Sequence, residues 1–368
     1  MSCDLIPLIG NTSGDWLCVR VDGESKASEV VQWYHGGGDW IPWGRDIAQA
    51  IVFDGLIERI SADSRRHAIP ATVPRLTGQA ERDDELFNWA FGHMPDGLAE
   101  SLNTAGDSHQ VAVCLLNAQV AEVAIHCELI LKALCHADVE SLQLAIGADA
   151  ESLSRNELTE WVFDISRIPE KHRQRIVSGK HGMELVEQNW KSAAPHAKAV
   201  TMLAPHLAWG WEILGYCEER FGHADLAVDA YSKAARCSVF TDQSVRLNTH
   251  WATDDASKFS IERIRQLDGT RIEKSEYLST VSKIENGDRR TAVTDYWKQR
   301  AVRHLAAEEV ADAYECYMAA GWDLGAGPIT VYGEILERVH ETAAQAGQRA
   351  RAELAATHRR CLNDRYGI

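Results

Sequence analysis

Trp16-Leu-Cys-Val-Arg-Val21, bracketed by Gly14-Asp15 and Asp22-Gly23 and followed closely by Val30-Val-Gln-Trp-Tyr-His35, decides how this chain is read. Leu17, Val19 and Val21 alternate with Trp16, Cys18 and Arg20, the period of a strand with one face toward a core. Asp22-Gly23 is a turn signal, and Val30–His35 supplies a second strand. Strands joined so closely pair antiparallel. Gly36-Gly-Gly-Asp39 then turns the chain toward Trp40-Ile-Pro-Trp43. From Asp46 to Ile60 the period becomes helical, with Ile47, Ala50, Ile51, Leu56, Ile57 and Ile60 on the apolar side and Asp46 placed as N-cap. Residues 1–62 therefore read as a small module with an antiparallel sheet.

Outward from this module, Ala68-Ile-Pro-Ala-Thr-Val-Pro-Arg-Leu-Thr-Gly78 carries two prolines, and residues 61–82 read as a linker. Beyond it nearly everything is helical in pattern. One long helix is expected from Val111 to His136, and shorter ones at Asn156–Ile165 and His181–Ala193. The expected fold class is α+β: the sheet module at 1–62, a helical domain at 83–200 and a second helical domain at 201–368.

Composition narrows the function. At 45% hydrophobic and 25% charged residues the chain is ordinary for a globular protein. No apolar run reaches the ~18 residues of a membrane span. Met-Ser-Cys-Asp-Leu-Ile-Pro7 lacks the basic and apolar regions of a secretory signal, so the expected location is cytoplasmic. A net charge of −16 argues against a broad nucleic-acid surface and is compatible with a basic protein partner or with solubility alone. The nine cysteines are scattered without a Cys-x-x-Cys pair, and read as reduced, buried thiols.

The helical part contains an internal repeat. Trp211, Leu214-Gly215, Gly222, Ala227, Tyr231 and Ala234 resemble the tetratricopeptide pattern, apart from Glu218 where an aromatic is usual. In that pattern Gly215 and Ala227 let two antiparallel helices approach, while Trp211 and Tyr231 fill the space between them. A second unit fits at the same offsets with Trp297, Ala301, Ala313, Tyr317 and Ala320, then Pro328, but with Arg300 in place of the leucine.

The opening segment resembles the SUKH superfamily of cell-wall regulators and immunity proteins. The likeness lies in Ile6-Pro-Leu-Ile9, Gly14-Asp-Trp-Leu-Cys18, Val30-Val-Gln-Trp-Tyr-His35 and the helix that follows. It covers about 55 residues, and the helices that lead that family's domain have no room before Ile6. The resemblance implies a protein-binding module, with an immunity or antitoxin role against a basic toxin as its specific form. A fainter likeness, in Ala121–Leu134 and Asn156–Phe163, is to helical domains of HEPN type, some of which are RNases with an Arg-x4–6-His pair; Arg167 and His172 have that spacing. The alternatives are thus an RNase and a helical-repeat scaffold with no antitoxin role.

No catalytic motif stands out: Gly-x-Ser-x-Gly and phosphate-loop patterns are lacking, and no cofactor is expected. No metal is expected either, because His35, His126 and His136 each stand without a partner at ligand spacing. The expected partner-binding residues are Asp15, Trp16, Arg20, Trp33 and Tyr34. Trp16 and Arg20 should share the face opposite Leu17, Val19 and Val21, joined by Trp33 or Tyr34 according to register. Asp15 has a plainer reading, as a turn residue accepting backbone N–H groups.

Overall fold

The computed structural model describes residues 2–35, 37–61, 80–134, 139–242, 258–283 and 288–367. Four strands, β1 (Leu5–Gly10), β2 (Trp16–Val21), β3 (Ala27–Trp33) and β4 (Trp40–Gly44), form an antiparallel meander in the order β1-β2-β3-β4. Two of these strands exceed the sequence reading. Each holds a proline, Pro7 or Pro42, which masks a strand in sequence but is tolerated because β1 and β4 are the sheet edges. Helices follow: α1 (Ile47–Ile60), α2 (Ala80–Phe91), α3 (Leu98–Thr104), α4 (Ser108–Asn117), α5 (Glu122–Leu134), α6 (Val139–Ile146), α7 (Arg155–Phe163), α8 (Glu170–Ser178) and α9 (Trp190–Leu203). The remainder is α10 (Ala208–Arg220), α11 (Ala224–Ala234), α12 (Phe259–Glu273), α13 (Glu276–Lys283), α14 (Asp288–Ala306), α15 (Val310–Trp322), α16 (Ile329–Gln345) and α17 (Arg349–Tyr366). The fold is α+β, as the sequence implied.

Several boundaries follow their local chemistry. Asp46 accepts from the Gln49 amide and starts α1. Ser154 and Glu157 form a reciprocal capping box at the start of α7. The helix expected over 111–136 is instead two, α4 and α5. Gln119 (φ 55°) and Ala121 (φ 49°) turn the chain, and the Val120 amide bonds the Leu115 carbonyl at 2.9 Å. Folding back lets Leu115, Val120 and Ile125 all reach the core. The helix expected over 181–193 starts only at Trp190. Before it Gln188 runs through without regular structure, its amide donating to the carbonyls of Leu134, Val162 and Phe163 and so tying off the ends of α5 and α7.

One apolar core crosses the domain divisions that the sequence suggested. It runs from Leu17 and Trp43 in the sheet through α1, α5 and α9 to Ile213, Phe259 and Leu324. Gly55 shows how tightly α1 meets α2: a Cβ there would lie 2.6 Å from the Phe87 ring. Most of the expected linker falls outside the described residues, and the division at 200/201 falls inside α9.

From α9 onward each helix packs on the next, giving a row of antiparallel hairpins, α10/α11, α12/α13, α14/α15 and α16/α17. Three of them share one turn. Gly222 (φ 82°), Glu308 (φ 62°) and Gly347 (φ 75°) occupy the left-handed position. The next amides, of His223, Glu309 and Gln348, bond back to the carbonyls of Glu218, His304 and Ala343 at 2.9, 2.9 and 2.8 Å. This is the Schellman closure of a helix end. Gly215 meets Tyr231 as the repeat pattern requires, since a Cβ there would be 2.7 Å from the ring. The expectation for Trp211 is corrected. The fully buried indole is Trp209, whereas Trp211 is half-buried, donates to the Pro205 carbonyl at 2.9 Å and lies under Lys233. The core side of α10 carries Trp209, Ile213 and Tyr216, and that phase turns Trp211 toward the rim.

Candidate functional site

Register sorts the sheet residues into two faces. Trp16 pairs with Trp33 and Trp33 with Trp40, so three indoles form a row across β2, β3 and β4 on the face that also holds Cys18, Arg20, Glu29 and Val31. Register thus selects Trp33, not Tyr34, as the neighbour of Trp16; Tyr34 is buried in the opposite core with Leu17, Val30, Ile41 and Trp43. Val19 packs against that same core, while Val21 lies beyond a bulge at Arg20.

Helical segments cover much of the face expected to be free. The Arg20 guanidinium, about a quarter exposed, bonds Asp4 and Glu29 at 2.9 Å each and lies over the Trp40 ring. Trp40 stacks on His206, in the loop before α10, and His206 stands 3.3 Å from Glu29. Burial works to raise the Glu29 carboxyl, but the bonds and charges of His206 and Arg20 outweigh it and hold it below the usual range. Phe240, like Trp33, packs against the buried cluster of Leu5, Cys18, Val31 and Trp40 and lies near Gly38. Farther along, Cys3 Sγ approaches Met318 of α15 at 3.4 Å, Arg351 of α17 donates to the Val21 carbonyl, and the Ala350 amide donates to Ser25. The Arg20 face is a joint between the sheet and the hairpin row. Alternation in sequence identifies a second face but not what covers it, which is why Arg20 reads there as free.

Asp15 is 5% exposed. Its carboxylate accepts from the His35 amide at 2.8 Å and from Asn11, so its work is to close the hairpin ends. Trp33 is half-buried at the joint. Among the five expected partner residues, Trp16 keeps a substantial open surface, at 36%. Its indole lies flat on Gly10, where a Cβ would come within 3.0 Å of the ring. Ile6 and Leu8 of the edge strand β1 are also exposed, at 36% and 47%. β1 has β2 on one side and no described strand on the other. This apolar rim is the candidate contact surface, and Ile6 and Leu8 are the residues that sequence reading missed.

A second constellation sits inside the hairpin row. Lys258, 4% exposed, donates to the carbonyls of Ala235 and Cys237, to the Tyr277 hydroxyl and to Asp323. Asp323 also receives Tyr277 and the Trp297 indole at 2.7 and 2.8 Å. One buried ion pair thereby pins the end of α11, the start of α12, α13, α14 and the end of α15.

Arg167 and His172 do not share an open site. The Arg167 guanidinium is held by Glu160 and by Tyr216, while His172 is buried against Trp161. His304, Glu309 and Asp312 bring three polar groups together at the α14/α15 turn, with His304 Nδ1 2.6 Å from Glu309. In the first unit Glu218 and His223 hold the same offsets with the residue types exchanged, 2.7 Å apart. An acid–imidazole clasp on a repeated turn accounts for both. His126 is not isolated: His196, far away in sequence, faces it across α5 and α9. Among the described cysteines, Cys3, Cys18, Cys127, Cys217 and Cys316 are buried.

No family model, curated protein or solved structure matches this chain, so the SUKH, tetratricopeptide and HEPN likenesses rest on the residues that carry them.

Proposed function

We propose that this chain is a cytoplasmic protein-binding scaffold with no turnover of its own. The observation that carries the reading is the row of hairpins α10–α17 with its thrice-repeated turn, since stacked hairpins build extended surfaces for protein partners. The contact surface on the sheet side is the rim of Ile6, Leu8 and Trp16. Exposed apolar side chains along an open strand edge, with an indole at its end, are the residue types that interface centres use. The partner is a basic protein, favoured by the net charge of −16; a toxin blocked by this chain is the specific form that the SUKH likeness adds. The buried thiols fit a reducing compartment.

The test is affinity capture in the native host with the parent chain and with a Leu8→Ser, Trp16→Ala double variant. A single protein should be recovered in stoichiometric amount with the parent and lost with the variant, while the variant's helical content stays unchanged. Recovery of nothing by either, or RNA cleavage by the purified chain that disappears in His172→Ala, would overturn the proposal.

A further inference from the structure

His126 on α5 and His196 on α9 point their Nδ1 atoms at each other at 3.1 Å, with ring centroids 5.2 Å apart and planes inclined by 35°. The two helices pack side by side, and both rings are half-buried at their junction, open on one side. As the rings stand, one Nδ1 donates a proton and the other accepts it. Metal–imidazole bonds of about 2.0–2.1 Å put two cis nitrogens roughly 2.9–3.4 Å apart, between square and tetrahedral angles. The observed separation lies within that interval, so α5 and α9 already hold the two nitrogens at a chelating distance. We propose that His126 and His196 form a two-imidazole site for a divalent transition ion of the nickel–copper–zinc class, separate from the partner-binding surface.

Binding needs a change of tautomer and a turn of both rings, because the ion lies off the line between the two nitrogens. The proton on the donating Nδ1 moves to that ring's Nε2, both Nδ1 lone pairs turn to the metal, and net charge on the pair is unchanged. Imidazole nitrogen selects this class over magnesium and calcium, which take oxygen. His109 at the start of α4 lies close enough for His196 to feel its charge, and is exposed. It does not complete a three-ligand group with the pair, so water fills the remaining positions. The α4/α5 turn and the α9 helix are fixed by the apolar core, so the pair is held by packing rather than by the metal. An ion here would tie α5 to α9, the contact through which the sheet-side helices join the hairpin row.

The experiment titrates the full chain with Ni(II) and with Zn(II) by calorimetry, in a Cys361→Ser background that removes an exposed thiol. One ion should bind per chain, Mg(II) should give no heat, and His126→Gln and His196→Gln should each weaken binding at least tenfold. His304→Gln should leave it unchanged. Should a glutamine variant fold poorly, Cu(II) electron paramagnetic resonance on the unsubstituted pair provides a second readout, with nitrogen couplings from two imidazoles expected. No binding, binding retained in His196→Gln, loss in His304→Gln, or a spectrum without imidazole nitrogen would each overturn the assignment.

Discussion

Gln32 sits fully buried in β3 with both amide atoms unpaired among the described residues, beside its cross-strand neighbours Leu17 and Ile41. A buried polar group without a partner costs about 1–3 kcal/mol, so Gln32→Met, close in volume, should raise stability by that order in urea unfolding. A fall in stability would mean that the amide is bonded in solution. The two indoles of α10 separate in the same way. Trp209→Ala removes a side chain from the core and should cost about 3–5 kcal/mol. Trp211→Ala forfeits a rim contact with Lys233 and should cost about 1 kcal/mol or less. Sequence gave no means of choosing between residues two apart in a helix that is apolar nearly all round. His358, whose pKa burial pushes down to about 4, adds a pH dependence. The folded state keeps this ring neutral while the unfolded chain takes up a proton near 6.5. Below that pH the unfolded state therefore binds more protons, and stability falls as pH drops from about 6.5 to about 4. His358→Gln should flatten this limb of the stability curve; an unchanged slope would remove His358 as its source.

The hairpins show how much of an element is legible in sequence. Gly222 reads as a turn glycine because the repeat places it, and it occupies the left-handed position with φ 82°. Gly222→Ala should cost about 1–2 kcal/mol, the strain of that conformation for an L-residue. Glu308 holds the same position in α14/α15 with no sequence sign of it, and neither Gln119 nor Ala121 announces the break between α4 and α5. Such turns are set by the fold-back of two apolar faces, not by local propensity. The two extra strands were hidden by their prolines, and only pairing with β2 and β3 reveals them as edges. Lys258 is the opposite extreme. Nothing near it in sequence marks a charge that serves four helices and the end of a fifth. Lys258→Met leaves Asp323 buried with its cation gone and should cost about 3–5 kcal/mol, seen as a lowered denaturation midpoint.

The fold class was legible at the scale of the whole molecule; the placement of the sheet was not. Period-two alternation correctly gave Leu17 and Val19 a core face and Trp16, Cys18 and Arg20 the other. It could not show that His206, Phe240 and Arg351 come from far along the chain to cover the second face. The proposed partner surface accordingly contracts to Trp16 and gains Ile6 and Leu8. The sheet is an inner layer fastened to the hairpin row by Arg351 of α17, which donates to the Val21 carbonyl and lies over the Tyr314 ring of α15. Hydrogen exchange followed by mass spectrometry on Arg351→Ala, compared with the parent chain, tests this fastening. Faster exchange is expected both in β2 and β3 and in α15 and α17. Unchanged exchange in α15 and α17, with the sheet alone affected or nothing affected at all, would contradict it.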